Sequence, residues 1–201
     1  GNLWISTAQL TSLGGLEGLT SIGGDLSIWF NGDLVFLGGL DGLISVGGDL
    51  EIVDNAQLES LAGLDGLTRV GGNLYINGNP QLTSLAGLTE VVEGEVDILL
   101  TLDNDASAMV VGDFVSSRGG VFPGSLDIAG NITSLEKLEA LSAVQGNLWI
   151  STAQLTSLGG LDGLISVGGD LSIWFNGGLT SLSGLNGLTS VGGDLYINGN
   201  P

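Results

Sequence analysis

Six aromatic side chains recur at matching places in this chain, which makes them its first candidates for recognition chemistry. Each lies within, or directly after, a short motif in which an apolar residue and an isoleucine flank one variable residue; the six are Trp4, Trp29, Tyr75, Trp149, Trp174 and Tyr196. Tryptophan and tyrosine combine a large contact area with a polar group, which suits sugar rings, peptide segments or a second copy of the same surface. We predict a ligand-binding face at these residues. The alternative is that a flanking segment covers them as ordinary packing.

A stretch of different composition, DNDASAMVVGDFVSSRGG at 103–120, carries carboxylates that suit a hard cation. Calcium takes oxygen ligands, so Asp103, Asp105 and Asp113 are candidate Ca²⁺ ligands. The glycine and the terminal glutamate of an EF-hand loop are missing from this stretch. Calcium is the one candidate cofactor, and no other cofactor is predicted.

The residue inventory argues against several functional classes. The chain has no cysteine and no histidine, which removes disulfides, thiolate zinc sites and histidine-dependent catalysis. Its 3 basic residues against 22 acidic ones give a formal charge of -19, so nucleic acid is not an expected partner. The acidic residues recur in columns without a unique cluster, and we predict a protein that is not an enzyme. The absence of an apolar run of about 18 residues predicts no membrane insertion in this segment.

An internal repeat sets the positions of the aromatic residues. The motif apolar-x-Ile occurs nine times, at intervals of 22–24 residues apart from one interval of 30. The nine copies are Leu3/Ile5, Leu26/Ile28, Leu50/Ile52, Leu74/Ile76, Val96/Ile98, Leu126/Ile128, Leu148/Ile150, Leu171/Ile173 and Leu195/Ile197. A repeat of this length indicates a solenoid, in which each coil buries its apolar side chains against the next coil.

Residues 49–73 illustrate one coil. Leu50 and Ile52 alternate with polar residues, as in a short strand with one face buried. Apolar residues then recur at every third position, which fits 3₁₀-like turns or extended coil; they are Leu58, Leu61, Leu64, Leu67 and Val70. Strands of successive coils must be parallel. The variable residue inside each motif, including Ser27 and Ser172, and the residue after the isoleucine are expected to face outward.

We therefore predict a β-rich right-handed solenoid of about nine parallel coils, forming a single domain over residues 1–201. Residues 1–98 and 125–201 are expected to be regular coils, and residues 99–124 an irregular, helical insertion. The helix should begin at Asp103 or Asp105 and end at Gly119 and Gly120. The side chains expected to dock it are Met109, Val110, Phe114 and Val115. A further helical turn is expected within 134–144.

Polar columns run along the predicted coils. An asparagine follows the motif isoleucine by three residues at 31, 55, 79, 131, 176 and 200, where its amide would bond the backbone of adjacent coils. Ala8 and Ala153 take this place in two coils and should interrupt the ladder. Asn131 also begins a glycosylation sequon, but as a ladder residue it should be buried. Aspartates before the strands are expected to accept backbone N–H bonds, with cation bridging along the column as the alternative.

The pattern L-x-I-x-x-N-x-x-L-x-x-L-x-G-L-x-x-L-x-x-V-G-G-D resembles the leucine-rich repeat superfamily. Its triplet leucines and its V-G-G-D-L-x-I join are most similar to the receptor L-domain branch, the ligand-binding solenoid of insulin- and EGF-receptor ectodomains, which also occurs in microbial surface proteins. The chain departs from receptor L domains in its lack of cysteine and its near-perfect repetition. The resemblance implies a binding fold at a cell surface, and it does not carry over a ligand.

A longer repeat, which comprises several coils, is also present in the sequence. Residues 1–32 recur at 146–177 with changes only at Glu17/Asp162, Thr20/Ile165 and Ile22/Val167, which indicates duplication of a 145-residue block. Both ends of the chain cut through a coil, so a longer parent array is expected.

Together these features predict an extracellular or cell-surface binding or adhesion module that recognises a protein or glycan. The alternative is a structural protein that assembles with further copies of itself into a filament or surface layer. Partial threonine columns leave ice binding as a minor alternative; they are Thr11, Thr83, Thr156 and Thr180, and Thr20, Thr68 and Thr189.

Overall fold

The computed structural model describes residues 1–88, 91, 98–102 and 105–201. The fold is a parallel β-solenoid of about eight turns with one short helix, which confirms the predicted fold class at this level. The chain divides into two compact units, Gly1–Ile98 and Leu99–Pro201, which are described in turn.

The first unit carries two series of parallel strands, one on each of two sides of its coils. The longer strands are β1 (Leu3–Ile5), β3 (Leu26–Trp29), β5 (Leu50–Val53) and β7 (Leu74–Asn77). They pair in the register Leu3–Leu26–Leu50–Leu74, so like residues of successive coils stack directly. The shorter strands are β2 (Ser21–Ile22), β4 (Ser45–Val46) and β6 (Arg69–Val70).

The second unit repeats this plan and adds the helix. Its longer strands are β8 (Ile98–Leu102), β10 (Ser125–Ile128), β12 (Leu148–Ile150), β14 (Leu171–Trp174) and β16 (Leu195–Asn198). Its shorter strands are β9 (Val121–Phe122), β11 (Ala143–Val144), β13 (Ser166–Val167) and β15 (Ser190–Val191). Helix α1 spans Asp105–Ser117, and a 3₁₀ helix spans Glu136–Leu138 within the predicted 134–144 segment.

The core consists of the motif residues and the residues of the three-residue spacing. In the third coil the apolar side chains that are 0% exposed are Leu50, Ile52, Leu58, Leu61, Leu64 and Leu67. The turns between them close by N–H bonds to the carbonyl three residues earlier, as from Leu64 to Leu61 (3.1 Å) and from Leu67 to Leu64 (2.9 Å). These 3₁₀-like turns point one side chain inward at every third position, and each fully buried leucine contributes about 1.5–3 kcal/mol.

An asparagine ladder fixes the turns after β3, β5, β7, β14 and β16. The side-chain oxygen of Asn55 accepts the backbone N–H of Asn31 (3.1 Å), and the Asn55 amide donates to the carbonyl of Ile28 (2.9 Å). Asn31, Asn55 and Asn176 are fully buried, and every buried side-chain polar atom of the described residues has a partner. The predicted structural role of these asparagines is confirmed.

In the coils that carry alanine, a threonine rather than the predicted Ala8 or Ala153 takes the place of the ladder asparagine. Those coils are one residue shorter after the strand, so Thr7 and Thr152 take the place predicted for Ala8 and Ala153. The backbone N–H of Thr152 donates to Asn176 (2.8 Å), and its hydroxyl donates to the carbonyl of Ile132 (3.1 Å). The N–H of Thr7 likewise donates to Asn31 (2.8 Å).

Asn131 is exposed, so the prediction that it is a buried ladder residue is wrong. Its neighbour Ile132 turns inward instead and is 0% exposed. The Asn131 oxygen accepts a bond from the side-chain amide of Gln154 (3.3 Å). Ile132 lies 12 residues before Val144, as Leu34 lies 12 residues before Val46, so it begins the three-residue spacing of this coil. Only 4 residues separate it from Ile128, against 6 from Ile28 to Leu34, and this shorter turn leaves no inward place for Asn131.

The fifth strand has a different register from the one predicted. Leu100 and Leu102 stand opposite Leu126 and Ile128, the places assigned by sequence to Val96 and Ile98. Leu100 therefore lies 26 residues before Leu126 in the sequence. Asp97, expected in the outward column, lies outside the described residues, and Thr101 occupies that column.

Helix α1 docks on the second unit through three of the four side chains predicted for it, and through a close approach at Gly112 that was not predicted. Val110 and Val115 are buried as expected, with Ala108 and Val111 beside them, but Met109 is 42% exposed and does not dock. Phe114 is half-buried and packs edge-on against Phe122, with ring centroids 6.1 Å apart. A Cβ at Gly112 would collide with the Lys137 carbonyl, so glycine allows the close approach of the helix.

Candidate functional site

The long strands present two outward columns in each unit, and the register fixes which side chains are neighbours. The first column reads Trp4, Ser27, Glu51 and Tyr75 in the first unit. In the second unit it reads Thr101, Asp127, Trp149, Ser172 and Tyr196. Two residues along, the second column reads Trp29, Val53 and Asn77 in the first unit, and Trp174 and Asn198 in the second.

All six predicted aromatic residues lie outside the core. Trp4 is 72% exposed, Tyr196 53%, Trp174 44% and Trp29 37%, while Trp149 and Tyr75 are half-buried. Trp4 and Trp29 lie on adjacent strands of the first unit, two positions apart, and Trp149 and Trp174 repeat this arrangement in the second. Diagonal neighbours on one sheet face are within reach of aromatic side chains.

Two phenylalanines that the sequence prediction missed complete these groups. Phe30 and Phe175 directly follow Trp29 and Trp174 and are 59% and 66% exposed. Both have left-handed backbone conformations, with φ of 54° and 52°. We call Trp4, Trp29 and Phe30 the first aromatic cluster, and Trp149, Trp174 and Phe175 the second aromatic cluster.

The left-handed conformation belongs to the position, and glycine or aspartate occupies it in other coils. The second residue after the motif isoleucine has positive φ at Asp54 (55°), Gly78 (64°), Gly130 (64°) and Gly199 (68°). Glycine adopts this conformation freely, whereas a bulky residue in it is strained by about 1–2 kcal/mol. The sequence did contain a signal for these two residues, because phenylalanine replaces the glycine or aspartate that other coils have at this position.

In the second aromatic cluster the two rings stack. The centroids of Trp174 and Phe175 are 6.2 Å apart with an interplanar angle of 25°. The Phe175 ring lies across the next coil, where a Cβ at Gly199 would stand 2.6 Å from its Cδ1 atom. Gly199 therefore makes room for the ring.

Ser27 and Ser172 differ from the outward exposure predicted for their column. They are 2% and 6% exposed, although the strand pleat points them away from the core. On the same column Ser27 stands between Trp4 and Glu51, and Ser172 stands between Trp149 and Tyr196, so larger side chains flank each short one. The Ser27 hydroxyl also donates to a carboxylate oxygen of Glu51 (2.7 Å).

The aspartate columns serve the backbone, which confirms the structural interpretation of those residues. Asp25 accepts the N–H of Asp49 (3.0 Å), Asp49 accepts that of Asn73 (2.7 Å), and Asp170 accepts that of Asp194 (2.8 Å). Each bond joins one coil to the next. Glu17, which lies in a turn between Leu16 and Leu19, accepts the backbone N–H of Gly15 (2.9 Å), and this bond lowers the pKa of its carboxyl.

Asp127 is the exception among the partly buried carboxylates. It stands between Thr101 and Trp149 on the outward column, half-buried. Its carboxylate has no hydrogen bond or ion pair with any described residue. Burial raises its pKa above the ordinary aspartate value. The site thus combines an aromatic ring with a carboxylate that can still accept hydrogen bonds.

Tyr196 adds a hydroxyl group that is already engaged. Its phenol donates to Asp194 (2.8 Å), and this hydrogen bond, with the charge of that carboxylate, raises the pKa of the tyrosine. The bond fixes the orientation of a ring that remains 53% exposed.

The calcium candidates are dispersed as far as the structure describes them. Asp105 begins α1 and accepts bonds from the N–H (2.9 Å) and hydroxyl (2.6 Å) of Thr133. Desolvation acts to raise the pKa of Asp105, but the bonds from Thr133 and Ser134 outweigh it and the pKa is lowered. Asp113 is exposed on the helix, and Asp103 lies outside the described residues. No three acidic groups of the described residues meet in a metal-binding arrangement.

No helix within the described ranges combines the length and apolar character needed to cross a membrane. Comparison of the chain with protein-family models, with curated proteins and with solved structures found no match.

Proposed function

We propose that this chain is a binding module, acting at a cell surface or in the extracellular medium, whose two aromatic clusters recognise a protein or glycan. The observation that carries the proposal is the pair Phe30 and Phe175, which are exposed and strained at equivalent places of the duplicated block. A side chain that gains little from folding and strains the backbone is explained by a contact outside the fold.

The chemistry of the clusters supports the same conclusion. Each cluster offers two indole rings and one phenyl ring on a rigid, hydrogen-bonded sheet, so binding would order few additional side chains. Indole and phenyl faces stack on the apolar faces of sugars, on peptide groups and on cations. Ser27, Glu51, Asp127 and Tyr196 supply hydrogen-bonding groups on the same columns.

The resemblance to the receptor L-domain branch of leucine-rich repeats supports a binding role as well. That branch is the ligand-binding solenoid of insulin- and EGF-receptor ectodomains, and the clusters here lie on, or directly after, the long parallel strands. The formal charge of -19 favours solubility and a partner that is not anionic.

The experiment is a screen of the chain against arrays of glycans and of extracellular proteins, repeated with variants. Trp4→Ala, Trp149→Ala and Phe175→Ala should each weaken a hit by at least about fivefold, as expected for aromatic anchors. Phe36→Ala is the matched control, because Phe36 is 49% exposed but lies outside every strand.

Equal loss in the control and the cluster variants would contradict the proposal. Self-association of the wild-type chain that the cluster variants abolish would identify a second copy of the chain as the partner. Light scattering at increasing concentration distinguishes that outcome from binding to a separate ligand.

A further inference from the structure

Asp127 differs from every other partly buried carboxylate of the described residues. Asp25, Asp49 and Asp170 accept backbone N–H groups of the next coil, and Glu51 accepts the Ser27 hydroxyl. Asp127 is half-buried without any such donor. Burial of a charged group without a partner is unfavourable, and serine or tyrosine occupies the same column in other coils. The fold therefore does not need a carboxylate at this place.

The side chain of Trp149, beside Asp127, indicates which kind of ligand group would bind there. Asp127 and Trp149 are paired residues of β10 and β12, so their side chains project from adjacent strands on the same face. The negative face of an indole attracts cations, and a carboxylate does so more strongly. Two neighbouring groups that each favour a cation form a complementary site for one.

The chain does not supply that cation from its own basic residues. It has three: Arg69 lies in β6 on the other series of strands, Lys137 lies in the 3₁₀ helix, and the Arg118 guanidinium lies 4.8 Å from the centroid of the Phe114 ring. With a formal charge of -19, the surface attracts cationic partners from solution.

We propose that Asp127 and Trp149 bind an arginine side chain of a basic segment of a partner protein. A guanidinium is planar, stacks on an aromatic ring and donates paired hydrogen bonds to a carboxylate, which an ammonium group does less well. This proposal rests on the proposed binding function and specifies its partner as a protein with exposed arginine rather than a neutral glycan.

The test uses an acetylated and amidated peptide of four Gly-Arg repeats, titrated into the intact chain labelled with ¹⁵N at its indole groups. The indole resonance of Trp149 should shift, and Asp127→Asn should weaken binding by about fivefold or more, the loss expected for a charge-assisted contact. Asp113→Asn is the matched control, since it removes the same charge from an exposed site on α1, and it should weaken binding less than about twofold. A peptide with citrulline in place of arginine should not shift Trp149.

Three results would overturn the proposal: no shift at Trp149 with millimolar peptide, equal weakening by Asp127→Asn and Asp113→Asn, or equal binding of the citrulline peptide. None of these results would contradict the proposed function. That function is tested separately with Phe175→Ala and Trp4→Ala, which leave Asp127 unchanged. A neutral glycan could also bind wild type and Asp127→Asn equally and fail to bind Phe175→Ala. That result would support the proposed function of the aromatic clusters and contradict the arginine site.

Discussion

The two copies of the 32-residue block, residues 1–32 and 146–177, have almost one sequence and two environments. In the first copy Trp4 is 72% exposed and β1 pairs with β3 alone among the described strands. In the second copy β12 pairs with β10 and β14, and Trp149 is half-buried beside Asp127. The block thus determines where its aromatic rings project, while the neighbouring coils determine how much of each ring is free to bind.

The coils that follow the two copies differ as well. Phe30 is followed one coil later by Asp54, and Phe175 by Gly199. Gly199 lets the Phe175 ring extend over the next coil and stack on Trp174, whereas Asp54 has a Cβ at the equivalent place. The two clusters therefore face different residues in the coil that follows the duplicated block.

The largest expected difference between the copies concerns the ladder. Asn176→Ala should lower the free energy of unfolding by about 3 kcal/mol, because it leaves the N–H of buried Thr152 and the carbonyl of Ile150 without partners. Asn31→Ala should lower it by about 1–2 kcal/mol, since Thr7 is exposed and water can replace the lost bond. Chemical unfolding followed by circular dichroism measures both, and equal losses would mean that the neighbouring coils do not matter.

An exchange of the residues that follow the clusters should have the next largest effect. Gly199→Asp should lower the stability by about 1–2 kcal/mol and abolish the stack, because the new Cβ meets the Phe175 ring and the backbone has φ of 68°. Asp54→Gly should allow Phe30 to stack on Trp29 at a change below about 1 kcal/mol. The near-ultraviolet circular dichroism of tryptophan reports the stacks, and a spectrum that neither variant alters would contradict the role of Gly199.

Asp127→Asn should stabilise the chain slightly at neutral pH. Because burial raises the pKa of Asp127 in the folded state, folding favours the protonated carboxyl and is opposed by the charged form as the pH rises through that pKa. The gain should stay below about 1 kcal/mol, since the group is half in water, and should vanish as the pH falls through the raised pKa. Melting temperatures of both proteins from neutral to acidic pH give the result; a variant less stable than wild type at neutral pH would indicate an internal partner for Asp127.

The smallest effect on stability is expected at Glu17, where the two copies differ in sequence. Glu17→Asp should change the stability by less than about 0.5 kcal/mol, because Asp162 already accepts the equivalent backbone N–H from Gly160 (3.1 Å). Unfolding curves of wild type and variant should overlap. A larger change would show that the two turns are not interchangeable.

The sequence predicted the coil and its outward columns because the spacing of apolar residues determines both. Eight of the nine motif strands lie where they were expected, and β8 was placed four residues too early. The cause is that Val96, Ile98, Leu100 and Leu102 alternate with a period of two, so that a shift by an even number of residues keeps the same face inside.

The ladder and the clusters were predicted less completely. A motif counted from the isoleucine pointed to Ala8 and Ala153, whereas the 24-residue distance from Thr7 to Asn31 and from Thr152 to Asn176 identifies the true equivalents. Phe30 and Phe175 were missed because their exposure depends on the sign of φ, which the apolar pattern does not encode. The unpaired state of Asp127 depends on the neighbouring coils and could not be derived from its own motif.

The central claim is that the aromatic rings are displayed for binding rather than packed for folding. The free energy of unfolding of the double variant Phe30→Gly and Phe175→Gly tests it most directly. The loss of partly buried ring area should be offset by relief of left-handed strain, so we predict a value within about 1 kcal/mol of wild type. A loss above about 3 kcal/mol would show that the two rings are packing elements and would contradict the claim.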